Sequence, residues 1–289
     1  MKFGLSMFGL APRHYPDIAA AVEENGFESV WMPEHLVFPA VIPPTYLYSE
    51  SGYPPVNADT ALYDPWVVLG AVAHATSSIR LATNVFILPL RHPIQVARSV
   101  MTLDRVSNGR VTLGMGVGWL EEEFVAMGQS FADRGKRADE MIGVMRRLWT
   151  EDTIEHHGET IDFGPVKFQP KPVQKAGIPI EVGGTTKPAL RRAGRLGDGW
   201  IELGSGSIET LKERLAFIEA ERKAAGRQNL PFEVTSGLGA GSLDNARRAA
   251  EAGVTRIQVG PTPNADVRIT IDTFRDFTKK YADEVISKI

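Results

Sequence analysis

The sequence predicts a (β/α)8 barrel, and three observations support this fold class. Eight short apolar runs, typical of strands, alternate with segments of helical periodicity. All eight pairs fit into 289 residues, of which 43% are hydrophobic. No stretch rich in Pro, Gly or Ser divides them as an interdomain linker would. We therefore predict a single barrel domain over residues 1–289, with a doubly wound sheet as the structural alternative.

Each predicted strand is a short run rich in apolar residues, as expected for a parallel sheet that is covered on both faces. In chain order the predicted strands are Phe3–Phe8, Ser29–Met32, Leu81–Leu88, Val111–Met115, Ile178–Val182, Trp200–Leu203, Phe232–Leu238 and Arg256–Gly260.

A helix is predicted after each strand. The last one, Asp272–Ile286, carries its aromatic residues at helical spacing. Gly26 and Gly109 directly follow the predicted helices Asp17–Asn25 and Pro93–Asn108. A helix end favours a residue that can adopt a positive φ, so both glycines support these boundaries.

Two segments are too long for ordinary barrel loops. Pro33–Leu62 is rich in proline and leaves the end of the second strand, where a barrel has its active site, so we predict a lid. Glu151–Gly177 contains alternating polar and apolar residues with turn signals, which predicts a hairpin inserted before the fifth strand. We expect the hairpin to cover the same face as the lid.

Composition excludes several classes of function. The chain has 32 basic and 35 acidic residues, a net charge of −3 and no long run of one sign, so we expect neither nucleic acid nor a membrane surface as partner. It has no cysteine, which excludes disulfides, thiolate metal sites and cysteine nucleophiles. The apolar stretch Phe3–Ala11 is too short to span a bilayer. These features predict a cytoplasmic protein that acts on small molecules.

Three glycine clusters are candidate phosphate sites. Residues 114–118 and 237–241 both read GxGxG, which is not the dinucleotide fingerprint, and turns at strand ends explain them better. The third cluster, in "IEVGGTTKPAL", ends the fifth strand with Gly183 and Gly184 and offers the Thr185 and Thr186 hydroxyls at a helix start. Free N–H groups and the helix dipole favour an anion there, although a plain turn fits the chemistry equally well.

Of the six histidines, His35 is the main catalytic candidate. In "FESVWMPEHL" it follows Glu34 and Pro33 at the end of the second strand, on the face where a titratable ring is most useful. A structural ring that holds the lid is the alternative. His156 and His157 are adjacent on a predicted strand, so they would face opposite ways and could not share a metal ion. We predict no metal site.

The longer motifs resemble a known family. "WMPEH", "LATNVFILPLRHPIQVARSVMTLDRVSNGRVTLGMGVGW", "RADEMIGVMRRLW" and "IEVGGTTKPALRRAGRLGDGW" are similar, in order and spacing, to the bacterial luciferase-like superfamily, most closely to its coenzyme F420-dependent oxidoreductases. The resemblance covers residues 1–205. It implies a barrel that binds a flavin or deazaflavin over the strand ends and performs hydride or oxygen chemistry. Barrels of this type commonly pair, so we expect a homodimer.

The resemblance also implies roles for single residues. His35 falls on the family's active-site histidine, and Glu34 falls on the acidic residue that precedes it. We expect His35 to face the cofactor ring and Glu34 to orient it or to hold the lid. Asn84 and Val85 fall where the family often has a non-prolyl cis peptide under the ring.

The remaining implied cofactor residues lie in two loops. Val117, Gly118 and Trp119 fall near the ring or its ribityl arm, and Gly183, Gly184, Thr185 and Thr186 fall on the phosphate loop. Trp119 replaces the catalytic glutamate of the sugar-phosphate dehydrogenases, so any acid would be His35, Glu34 or a neighbour such as Glu123. Val117 replaces the phosphate-binding arginine of luciferases, which favours F420 over FMN.

The sequence therefore predicts an F420-dependent oxidoreductase that transfers a hydride between the deazaflavin and a small organic substrate. Two alternatives stay open: a monooxygenase that depends on reduced FMN, and a non-catalytic flavin-binding barrel. A hydrolase is not favoured, because the sequence has no GxSxG motif.

Overall fold

The computed structural model describes residues 1–204, 206–261 and 269–289, in which strands and helices alternate along the chain. The strands are β1 (Lys2–Ser6), β2 (Ser29–Met32), β3 (Arg80–Thr83), β4 (Phe86–Ile87), β5 (Val111–Gly116), β6 (Ile154–His157), β7 (Asp162–Val166), β8 (Ile180–Gly183), β9 (Gly199–Ile201), β10 (Glu233–Ser236) and β11 (Arg256–Val259). The α-helices are α1 (Tyr15–Glu24), α2 (Pro65–Ala75), α3 (Pro93–Val106), α4 (Glu121–Ala126), α5 (Arg134–Thr150), α6 (Lys187–Leu196), α7 (Ile208–Ala224), α8 (Leu243–Glu251) and α9 (Ile271–Glu284).

The main sheet closes into a parallel barrel, which confirms the predicted (β/α)8 fold. Its order is β3, β2, β1, β11, β10, β9, β8, β5, and β3 pairs with β5 to complete the ring. The predicted third strand, Leu81–Leu88, is broken into β3 and β4, and β4 continues the pairing with β5. The strand ends therefore meet at one carboxyl-terminal face, where the predicted site residues lie.

Side chains alternate between the two faces of each strand. In β1, Phe3 and Leu5 point outward and join the main core between strands and helices, as do Val30 and Leu81 in the next two strands. Inward positions are mixed: a Cβ on Gly4 would lie 2.5 Å from Nε1 of the Trp31 indole, and Trp31, Ala82 and Ile201 form a second buried apolar cluster. The strands are therefore covered on both faces, as expected, but the inward face also carries polar side chains.

Ion pairs fill the amino-terminal end of the barrel. Arg256 donates to Glu181 at 2.7 Å and to Glu28 at 2.9 Å, and Thr235 also bonds Glu181. Burial raises the pKa of Glu181, while the neighbouring Arg256 acts to lower it. These contacts join β2, β8, β10 and β11 below the site.

The predicted hairpin is present, but its predicted location is wrong. Strands β6 and β7 pair antiparallel, and their loop and His156 bond Glu140 on the outside of α5. The residues that follow continue to the amino-terminal face, where Gln174 bonds Asp104 at 2.7 Å and Arg80 at 3.4 Å. The Glu151–Gly177 insertion therefore lies outside and below the barrel, away from the lid.

The lid segment Pro33–Leu62 lies wholly within the described ranges and forms neither helix nor strand. It connects β2 with α2 across the carboxyl-terminal face. None of the helices in the described part of the chain combines the length and apolar character needed to cross a bilayer. The same residues contain no cluster of three side chains suited to holding a metal ion.

Candidate active site

A cavity of about 920 Å³ opens at the carboxyl-terminal end of the barrel. Strand ends form its floor, with Asn84, Glu202 and Gln258, and the lid forms its wall, with Tyr46 and Tyr48. This is the face on which barrel enzymes bind their ligands, as the sequence predicts. Among the predicted site residues, Asn84 lines this cavity.

His35 pairs with a buried carboxylate. Its Nδ1 lies 2.8 Å from Oε2 of Glu123 in α4, whose side chain is fully buried. The other carboxylate oxygen accepts the backbone N–H of Leu36 at 2.6 Å. Glu123 therefore orients the His35 ring and also fixes the first residues of the lid, the two roles that the sequence suggested for Glu34.

Glu34 points to a different part of the barrel. Its carboxylate accepts the Ile87 N–H at 2.7 Å and pairs with Arg91. Burial raises the pKa of Glu34, and the Arg91 guanidinium opposes that effect. Because these bonds secure β4 and the turn after it, Glu34 supports the strand below the site.

The peptide bond between Asn84 and Val85 is cis, as predicted. Two glycines make room for the Val85 side chain: a Cβ on Gly116 or on Gly183 would lie 2.7 or 2.6 Å from it. Gly116 of β5 therefore lets Val85 pack closely, whereas the sequence predicted only a turn for this glycine cluster. Asn84 donates to Gln258 at 2.6 Å, and Nε2 of Gln258 has no partner among the described residues.

Aromatic rings connect His35 with the cavity. The Trp119 ring lies edge-on to His35, with centroids 5.8 Å apart, and contacts Tyr46 of the lid at 5.1 Å. His35 itself is 16% exposed. Trp119 and Tyr46 therefore lie between His35 and the cavity in this closed arrangement.

Val117 and Gly118 form the turn between β5 and α4. Gly118 has a φ of +82° and its carbonyl accepts a bond from Arg134 at 3.1 Å. A Cβ there would lie 2.7 Å from the Phe124 ring. The turn thereby aims Trp119 at the site.

The loop after β8 has the form expected of an anion site. Gly184 has a φ of +124°, and its carbonyl accepts the Trp200 indole N–H at 2.8 Å. Thr186 is the N-cap of α6, yet in this described loop its side chain caps no N–H. The Thr186 hydroxyl and the first N–H groups of α6 are thus free for a ligand.

The lid reaches this loop through Tyr48. The Tyr48 hydroxyl lies against this loop, 3.5 Å from where a Cβ on Gly184 would lie, and burial raises the pKa of Tyr48. Arg214 of α7 is close enough to oppose that rise, and its guanidinium bonds buried Glu202 at 3.2 Å. A lid tyrosine therefore lies where an anion would approach the loop, and a cation lies beside it.

Several of these residues were not predicted from the sequence. They are Tyr46, Tyr48, Glu202, Arg214 and Gln258. A usable signal existed for Gln258, which lies two positions after inward-facing Arg256 in β11 and so shares its face. The lid tyrosines and Arg214 reach the site by tertiary packing, and no local pattern marks them.

Comparison with known proteins places this geometry in context. The model of the luciferase-like monooxygenase family matches residues 6–238. An uncharacterized protein of Mycobacterium tuberculosis is 36% identical, over 92% of this chain and 94% of its own length. An F420-dependent glucose-6-phosphate dehydrogenase of Amycolatopsis mediterranei is 30% identical over 74% of this chain, but only 60% of its own. The F420-dependent tetrahydromethanopterin reductase of Methanopyrus kandleri has the same fold, with a TM-score of 0.77 at 19% identity and coverage of 99% and 98%.

Proposed function

This chain belongs to the luciferase-like monooxygenase family and is an oxidoreductase, and we propose that it uses coenzyme F420 to transfer a hydride to or from a small organic substrate. The observation that carries the proposal is the contact between two separately predicted parts of the site. Val85, the predicted floor for the ring, packs against Gly183, where the predicted phosphate loop begins. A ring and its phosphate need these two elements side by side.

The residues present fit a phosphate-bearing deazaflavin or flavin. Val85 presents an apolar surface for a flat ring, and Asn84 and Gln258 lie beside it with amide groups. Thr186 and the start of α6 offer a hydroxyl and N–H groups to a phosphate. Hydride exchange is the chemistry that the bound deazaflavin supplies.

His35 is proposed to handle the proton. A carboxylate only accepts hydrogen bonds, so the bond to Glu123 places a hydrogen on Nδ1 and leaves Nε2 to exchange protons. When an alcohol is oxidised, its carbon loses a hydride and Nε2 accepts the hydroxyl proton. When a carbonyl is reduced, the carbon gains a hydride and the Nε2 proton passes to oxygen. Glu123 stabilises the imidazolium in both directions.

The lid is proposed to control access to His35. In the closed arrangement Tyr46 packs on Trp119, which in turn packs on His35. A shift of Tyr46 would open a path from the cavity to His35, and the same shift would carry Tyr48 away from Thr185. A single movement of the lid would then open the phosphate site and expose the proton donor.

An FMN-dependent monooxygenase is the second candidate, because the family is named for that reaction. Val117, at the position where luciferases carry a phosphate-binding arginine, favours F420. Arg214 offers a cation on the other side of the loop, held by Glu202, and it can serve either cofactor.

Binding of a matched ligand pair tests the phosphate assignment. Thr186→Val removes a hydroxyl that caps nothing, so the fold should keep its stability while affinity for FMN falls about tenfold and affinity for riboflavin stays the same. Thr270→Val is the control: Thr270 caps α9 in a capping box, so that variant should lose stability and keep its FMN affinity. Equal affinities of the wild type for FMN and riboflavin would remove the assignment.

We also propose that the protein acts on small molecules in the cytoplasm, as its composition predicts, and that it forms a homodimer, since barrels of this type commonly pair. Light scattering during size-exclusion chromatography measures the mass in solution, and a monomer of 31.6 kDa would contradict the dimer.

A further inference from the structure

A second cavity adjoins the candidate active site. It measures about 590 Å³ and lies between the residues that follow β1 and the second half of the lid. Pro54 and Pro55 line both cavities, so the two adjoin at this pair of prolines. A ligand that reaches past the prolines would contact both linings.

Apolar side chains predominate among the residues that line the second cavity. Phe8 and Leu10 contribute from the β1 side, and Val56 and Tyr63 contribute from the lid. Asn57 and Thr60 are the polar side chains besides the Tyr63 hydroxyl, and they bond each other. No described residue of the lining is charged. Such a surface favours an uncharged ligand that buries hydrocarbon.

The larger cavity also lacks a free cation in its described lining. Its charged residue is Glu202, which is paired with Arg214. A phosphorylated substrate needs positive side chains or N–H donors around its dianion, and the donors of the Gly183–Thr186 loop are assigned to the cofactor. The described linings of the two cavities therefore favour a neutral substrate over a sugar phosphate, the substrate named for the relative from Amycolatopsis mediterranei.

We propose that the second cavity is a subsite for the apolar part of a neutral substrate, whose reacting carbonyl or alcohol lies in the larger cavity. This inference rests on the proposed function. The substrate class is then a ketone or secondary alcohol with an aromatic or aliphatic group that reaches past Pro54 and Pro55. Affinity comes from burying that group, and the polar end sets the orientation.

A cavity-filling variant tests the subsite. Ala61 lines the second cavity and is exposed, so Ala61→Phe fills space without disturbing the core. Ala40→Phe makes the same change at an exposed lid position that lines neither cavity. The probe is a neutral propionyl-naphthalene fluorophore, a ketone whose emission reports an apolar environment. Circular dichroism checks the fold of both variants.

We expect saturable binding of the fluorophore to the wild type and to Ala40→Phe, about tenfold weaker binding to Ala61→Phe, and no competition by a hexose phosphate. Unchanged binding to Ala61→Phe, no saturable binding to the wild type, or competition by the hexose phosphate would each overturn the subsite. Titration with F420 and FMN separates this outcome from failure of the proposed function. Normal cofactor binding beside failed ketone binding refutes the subsite alone, whereas absent cofactor binding refutes the function.

Discussion

The two ends of the barrel differ in how their polar groups are paired. At the amino-terminal end, Arg256 is bonded by Glu28, Glu181 and Thr235, and Lys2 pairs with Glu233. At the carboxyl-terminal end, among the described residues, the Gln258 amide nitrogen has no partner and the Thr186 hydroxyl caps no N–H.

We infer from this difference that the amino-terminal end contributes mainly to stability and the carboxyl-terminal end to function. The charges around Arg256 satisfy one another inside the barrel, so this network serves to hold the strands together. Spare donors above the strands, covered by a lid, are what a cofactor needs. Substitutions at the first end should therefore change the free energy of unfolding, and those at the second should change binding or turnover.

The largest effect is expected for Arg256→Met at the amino-terminal end. Removing the guanidinium leaves the buried Glu181 carboxylate without its ion-pair partner, which should cost about 3–5 kcal/mol of unfolding free energy. Urea unfolding measures this loss. Adding Glu181→Met should recover most of it, because the pair is then replaced as a whole. A single variant as stable as the wild type would show that the network does not hold the strands.

At the carboxyl-terminal end, His35→Ala should lower turnover about 100-fold and change stability and cofactor affinity far less. Steady-state kinetics with separate cofactor titration measures both. His92→Ala is the matched control, because His92 also follows a strand but caps α3 by accepting the Ile94 N–H. Full turnover in the His35 variant would make its ring structural.

Acid should act on the amino-terminal end through Glu23. Although burial acts to raise it, N–H donors at Ser77, Ser78 and Ile79 hold the pKa of Glu23 at about 2, against an ordinary value of 4.5. Because the folded pKa is depressed, this stabilisation is complete above pH 4.5 and is lost as pH falls towards 2.

Glu23→Gln should therefore cost about 2 kcal/mol at neutral pH, after allowance for solvent screening, and progressively less as the pH falls through 2. Unfolding free energies measured against pH test this window. Glu24→Gln, at the exposed neighbouring position, should leave the curve unchanged. A constant difference between wild type and Glu23→Gln across the acid range would contradict the assignment.

The smallest effect should come from the lid. Tyr48→Phe removes a hydroxyl that lies against the Gly183–Thr186 loop, so affinity for FMN should rise about threefold while affinity for riboflavin stays the same. Tyr46→Phe changes the neighbouring lid tyrosine and should not alter either affinity. Weaker FMN binding by Tyr48→Phe would mean that the hydroxyl donates to the phosphate instead of competing with it.

Local patterns in the sequence predicted the barrel well. The predicted strand Ser29–Met32 has the same bounds as β2, because it is a short apolar run between Phe27 and Pro33. Gly26 and Gly109 both adopt positive φ after their helices, as the helix-end rule requires. The cis peptide before Val85 came from the family resemblance and is confirmed. The phosphate role of Gly183–Thr186 remains a prediction.

Features that depend on tertiary contacts were not predictable in the same way. Glu123 is 88 positions from His35, and nothing near either residue marks the pair. The hairpin was recognised from alternation, yet which face it covers depends on Glu140 of α5. Inward-facing Arg256 and Glu181 alternate with apolar outward residues in short strands, so the apolar character of each strand conceals the ion pair inside the barrel.

The most direct test of the account is a side-by-side equilibrium titration of the purified protein with F420 and FMN. The cofactor is proposed to bind on Val85 and the Gly183–Thr186 loop, and Val117 favours the deazaflavin. We therefore expect saturable binding of both ligands, with F420 at least tenfold tighter, a difference of about 1.4 kcal/mol. Tighter binding of FMN, or no saturable binding of F420, would contradict it.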